Sequence, residues 1–142
     1  MARYTTTIES SLSPDQAFAY MADFSHAREW DPSVTDATRI GDVGADATFD
    51  LVVRFGGRKL PMRYETTDFD AAARRVVLQA DNPRFVSRDT ITVAPADGGS
   101  SVHYDAALDL RGLGRVLDRL LQLLFDRMGD KAAAGMRAAL NR

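Results

Sequence analysis

The chain has 142 residues and a mass of 15.6 kDa, the usual size of one domain with one core, so residues 1–142 are read as a single domain. Hydrophobic residues at 45% and charged residues at 27% exclude disordered, collagen-like and disulfide-built chains. A net charge of −2 lacks the basic excess with which nucleic-acid binders displace counterions, and the absence of cysteine removes disulfides, thiolate nucleophiles and zinc-thiolate sites together.

Taken in chain order, Tyr4 to Glu9 alternates with β-branched residues and predicts a strand. Ser13-Pro14-Asp15-Gln16 then opens a helix. Ser13 suits the cap, Pro14 the first helical position, Asp15 the positive helix end, and Gln16 completes a capping box. Its apolar stripe is Ala17, Phe18 and Met21, followed by Phe24. A second short helix is expected over Ser25 to Glu29, ended by Asp31-Pro32.

From Val34 the apolar period becomes two. Six strands are predicted at Ser33–Ile40, Ala47–Phe55, Lys59–Phe69, Arg75–Ala80, Phe85–Ala94 and Ser101–Leu110. Their connections are short and rich in turn residues, so consecutive strands should pair as antiparallel hairpins in a meander. Pro61 cannot donate to a ladder, which predicts a bulge or an edge position there. Alternation assigns Phe49, Leu51, Val53, Phe55, Leu60, Met62, Tyr64, Thr66 and Asp68 to the buried face. Ser87, Asp89, Ile91, Val93, Val102, Tyr104, Ala106 and Leu108 join them. The opposite face holds Asp50, Arg54, Arg63, Glu65, Arg88, His103 and Asp105, a mix of signs suited to pairing in water.

After Gly112 and Gly114 a helical period runs from Arg115 to Asn141. At about 1.5 Å per residue it spans roughly 40 Å, enough to cross the whole sheet. The first half is bulky, while Ala132, Ala133, Ala134 and Gly135 are small. A concave sheet facing such residues must either pinch together or keep a cavity. The expectation is a cavity, walled by Met62, Tyr64, Asp89, Ile91 and Tyr104, with Trp30 on one side and Ala132 opposite.

This order of elements is similar to the START or birch-pollen-allergen superfamily, also called SRPBCC. The residues that carry the likeness are SLSPDQAFAYMADFSHAREWDPSV, with Asp23 before the second helix and Trp30 before the next strand. YETTDFDAAARRVVL, RDTITVAPADGGSSVHYDAAL and the late Leu-rich helix extend it over nearly the whole chain. The resemblance implies an α+β helix-grip fold, in which a curved seven-stranded antiparallel sheet wraps a long C-terminal helix. It also implies the polyketide cyclase/dehydrase-like branch, whose members steer aldol cyclisation and dehydration or merely bind a hydrophobic ligand.

Asp89 is the most unusual residue, a carboxylate placed by parity among Ser87, Ile91 and Val93. In a dry pocket its pKa would rise, making it a general acid or base. The alternative is a carboxylate satisfied by nearby amides. Tyr64 and Tyr104 present phenols for steadying an enolate oxygen, or simply pack. Further ligand contacts are expected from Trp30, Phe24, Met62, Thr66, Ser87, Ile91, Phe49, Leu51, Val53, Met128, Ala132 and Met136. His26 is expected at the surface and His103 outward beside Asp105. No metal-ligand spacing, GxSxG or phosphate-loop motif occurs, so neither a metal nor a cofactor is expected. The apolar face of Leu113 to Phe125 is expected to dock on the sheet rather than on a membrane or a partner. The function expected is binding of a small hydrophobic molecule, by a cyclase or dehydratase, by a non-catalytic lipid or metabolite carrier, or by a protein-interaction module. Expectation also favours a monomer or homodimer in the cytoplasm with no nucleic-acid partner. No membrane span is expected, because no run reaches about 18 apolar residues and residues 1–7 lack a signal-peptide core.

Overall fold

The computed structural model describes residues 1–112 and 115–142. Leu113 and Gly114 of the expected docking stretch lie outside the described residues, as do the side chains of Arg115 and Val116. The elements are β1 (Ala2–Ser10), α1 (Pro14–Ala22), a 3-10 turn (Phe24–His26), α2 (Ala27–Trp30), β2 (Val34–Ile40) and β3 (Thr48–Phe55). Then follow β4 (Arg58–Asp70), β5 (Arg75–Asp81), β6 (Phe85–Ala96), β7 (Gly99–Leu110) and α3 (Arg115–Ala139). All seven strands form one antiparallel sheet in the order β1-β7-β6-β5-β4-β3-β2. It is a curled half-barrel that grips the long C-terminal helix.

Local chemistry explains the boundaries. The Gln16 amide donates to Ser13 Oγ, and the Ser13 amide donates to Gln16 Oε1, both at 3.2 Å, closing the expected capping box. Asp23 caps the 3-10 turn by accepting from the Ser25 amide and hydroxyl, and it holds Arg39 on β2. The β3–β4 hairpin turns on Gly56 and Gly57, whose φ values of 60° and 80° glycine reaches without strain. In that two-residue hairpin Val52 and Pro61 oppose each other as a pair without mutual hydrogen bonds. The Pro61 nitrogen therefore faces away from β3. β5 pairs with β4 only from Glu65 onward, so proline occupies a local edge and leaves no donor missing.

One assignment fails. Asp68 was expected inward, but Thr67 forms a bulge between Thr66 and Asp68 and reverses the parity of the strand end. Asp68 instead accepts from Arg75, and Phe69 turns in against Phe18, with ring centroids 5.4 Å apart.

The outer face behaves as alternation requires. Arg63 makes a bidentate pair with Asp50 across β3 and β4, and Thr7 Oγ1 meets His103 Nδ1 at 3.1 Å across β1 and β7. β1 is an edge strand, and α3 covers it. Gln122 accepts from the Arg3 amide at 2.9 Å and donates to the Arg3 carbonyl at 2.8 Å, imitating a neighbouring strand. Asn141 does the same at the other end, donating to the Glu9 carbonyl and accepting from the Ser11 amide. Phe24, Trp30 and Phe49 anchor the core at no more than 2% exposure. Such residues bury about 150–250 Å² each, on the order of 4–6 kcal/mol apiece.

No helix among the described residues is long and apolar enough to cross a membrane.

Candidate functional site

The helix pair and the cavity end of the sheet build one partly open cavity. Gly135 on α3 has no Cβ because one would collide with the Trp30 carbonyl. The two backbones therefore touch, and the contact holds Trp30 over the sheet. Its ring stands edge-on to Tyr104, with centroids at 5.6 Å, and to Phe24 at 6.0 Å. Phe24 in turn meets Tyr64 at 5.3 Å. The Trp30 Nε1 is buried with no partner, alone in this among the described residues.

Alternation along β6 aims Ser87 and Asp89 inward, at 5% and 6% exposure. Asp89 opposes Ala106 on β7, which places Tyr104, two residues away, at diagonal reach. The Tyr104 hydroxyl donates to Asp89 Oδ2 at 2.8 Å, and the Tyr64 hydroxyl and Ser87 Oγ share a hydrogen bond of 2.9 Å. Burial pushes the Asp89 carboxyl up to about 7, against the Tyr104 hydrogen bond, which lowers it, and with Asp31 and Asp105 adding repulsion. Burial likewise raises both phenols well above their usual range, reinforced by the Asp89 charge.

The cavity is partly open and measures about 90 Å³. Of the expected contacts, Phe24, Trp30, Leu51, Val53, Met62, Tyr64, Ser87, Asp89, Tyr104 and Met128 line it. Phe49, Thr66, Ile91, Ala132 and Met136 do not. Phe49, Ile91 and Met136 are fully buried in the core. Thr66 is tied to the Ala47 carbonyl at 3.0 Å, and Ile91 lies further along β6, the strand against which α1 packs. Ala132 and Met136 flank the helix turn that closes on α2. The small residues thus mark a pinch. The cavity lies under the bulkier half of α3, at Phe125 and Met128.

Sequence reasoning missed Asp31 in this wall, having read it only as a helix stop. It lines the cavity and accepts from the Ser33 amide at 2.9 Å and hydroxyl at 2.7 Å. Burial raises its pKa. Phe85 and Phe125 also line the space; Phe85 shares the parity of Ser87, so its signal was present. His26 stacks on Tyr20, with Nδ1 2.9 Å from the Tyr20 carbonyl oxygen, and is no part of the cavity wall. Among the described residues no three metal-ligating side chains cluster. A second recess of about 560 Å³ opens on the outer face around Asp50, Pro61, Arg63 and Asp81. Asp50 pairs with Arg63 and Asp81 with Arg111, while Asp36, among the described residues, accepts only from the Thr35 hydroxyl, so the recess offers no comparable convergence of groups.

A curled sheet, a gripping helix and a partly open cavity with few polar groups define a helix-grip protein of the ligand-binding kind. The chain belongs to the family described as polyketide cyclase / dehydrase and lipid transport, which it matches over residues 1–141. Among solved structures it is similar to a protein from Thermus thermophilus, with a TM-score of 0.79 and 18% identity over 98% of this chain and 95% of that one. It is also similar to the Zhui aromatase/cyclase from a Streptomyces species, with a TM-score of 0.77 and 12% identity over 98% and 92%. A START superfamily protein from Mycobacterium smegmatis gives 0.72 and 15% over 99% and 97%. Identities this low carry the fold alone. No curated protein matches the sequence significantly.

Proposed function

We propose that this protein binds a small, compact and largely apolar molecule in the cavity and exchanges a proton with it through Asp89. The supporting observation is the carboxyl itself, held in an apolar wall, bonded to the Tyr104 phenol and poised at about 7. A group with that pKa both takes and returns protons near neutrality. Removal of a proton beside a carbonyl, or loss of water from a β-hydroxyketone, uses such a group, and Tyr64, which lines the same cavity, is the residue proposed to steady an enolate oxygen. The family description spans ring-forming chemistry and lipid transport, and both need this pocket. Carriage without chemistry is the second reading. It is favoured by the hydroxyls of Tyr64 and Tyr104 already being partnered within the protein.

Native mass spectrometry of the purified protein, followed by extraction, identifies the molecule it retains. Asp89→Asn and Tyr64→Phe are then compared for binding and for conversion. Affinity kept within a few-fold with conversion lost supports proton transfer. Conversion kept in both variants overturns the catalytic role of these residues, and binding without conversion by the unaltered protein makes it a carrier.

A further inference from the structure

The charge of the cavity wall is one-sided. Asp31 from the end of α2 and Asp89 from β6 both face the space, and among the described residues no lysine, arginine or histidine lines it. Each carboxyl is only half satisfied. Both Ser33 groups donate to Asp31 Oδ1 and Tyr104 donates to Asp89 Oδ2, which leaves Asp31 Oδ2 and Asp89 Oδ1 without a protein partner. Around the same space stand Phe24, Trp30, Tyr64 and Tyr104, linked ring to ring. Aromatic faces attract organic cations, most strongly where water is excluded. Partly desolvated carboxyls that lack a counter-charge favour a cation, which restores their ionised form, and disfavour an anion.

We infer that the ligand of this cavity is a small organic cation: a protonated amine on a compact apolar body, its N–H groups reaching Asp89 and Asp31 and its body seated among the rings. This rests on reading the cavity as the binding site. Size narrows the class further. A space of about 150 Å³ takes a benzene ring, and this one measures about 90 Å³. Met62 and Met128 are in its wall, and thioether chains re-pack readily, so a single ring or a short branched chain is the fitting body. Ligands bearing a carboxylate or phosphate at that depth are disfavoured.

The test is a matched series, benzylamine, benzyl alcohol and benzoate, titrated near neutral pH into the wild-type protein, Asp89→Asn and Asp31→Asn. Trp30 is the only tryptophan in the chain, so its indole N–H resonance reports occupancy of the cavity and ignores amines bound to surface carboxylates. The expected result is benzylamine binding about tenfold or more tighter than benzyl alcohol, with benzoate weakest. Asp89→Asn should shrink that preference to a few-fold or less while keeping benzyl alcohol affinity. Benzyl alcohol or benzoate binding as tightly as benzylamine overturns the charge assignment and leaves the cavity reading standing. Failure of all three to perturb the Trp30 resonance overturns both. The wild-type series decides even where a variant does not fold.

Discussion

Replacing Asp89 with asparagine tests the buried carboxyl through stability alone. In the unfolded chain this group has its ordinary pKa of 3.8, and in the folded protein burial moves it to about 7. The folded state therefore holds the proton more tightly. No penalty exists below about pH 4, the penalty grows as pH rises, and it is complete above about pH 7. At about 1.36 kcal/mol per pKa unit the full cost is about 4 kcal/mol, a large share of the roughly 5–15 kcal/mol that holds a domain together. The substituted asparagine has no proton to lose and still offers an oxygen to the Tyr104 hydroxyl. Urea unfolding of both proteins at several values between about pH 4 and about pH 8 reports the loss of the Asp89 charge, together with its repulsion of Asp31. The stability difference should move by about 4 kcal/mol in favour of Asp89→Asn across that range. A difference that stays constant within about 1 kcal/mol would show that Asp89 remains ionised in the folded state, and the reasoning about its environment would fall.

Tyr104→Phe removes the hydrogen bond that holds the Asp89 pKa down, so the Asp89 carboxyl carbon should titrate higher still by NMR; an unchanged or lower midpoint refutes the contact. Gly135→Ala forces a methyl against the Trp30 carbonyl. Such overpacking costs about 1–3 kcal/mol, lowering Tm by roughly 5 °C and altering tryptophan fluorescence, whereas a variant that melts like the parent would disprove the close approach. Gln122→Ala strips both backbone bonds from Arg3, at about 1 kcal/mol each. Faster hydrogen exchange at the Arg3 amide is the expected reading, and an unchanged rate counts against edge protection by α3.

Much of this architecture was legible because strands and helices announce themselves by period. Phe49, Leu51 and Val53 fell inward and Asp50 and Arg63 outward from alternation alone, and Ser13 with Gln16 marked a helix start that the hydrogen bonds reproduce. Parity was lost where one residue was inserted. Thr67 carries no sign of a bulge in its own chemistry, so Asp68 and Phe69 exchanged faces unseen. The position of the cavity was misjudged for a different reason. Small residues on α3 reveal that something comes close there, but not what, and it was the Trp30 backbone rather than empty space. Asp31 went unrecognised because a residue before proline reads first as a chain-direction signal. Its entry into the cavity wall depends on how α2 docks, a tertiary fact beyond any local window.

The amides of Gln122 and Asn141 give α3 a second duty besides roofing the cavity. An edge strand left bare is a template for pairing with another molecule, and here the edge of β1 is covered by Gln122 on the helix that carries Phe125 and Met128 into the cavity wall, and by Asn141 just past the end of that helix. Displacing this helix from the sheet would break the Gln122 hydrogen bonds to Arg3 as well. Opening the cavity on the α3 side and exposing the β1 edge are therefore coupled through one element.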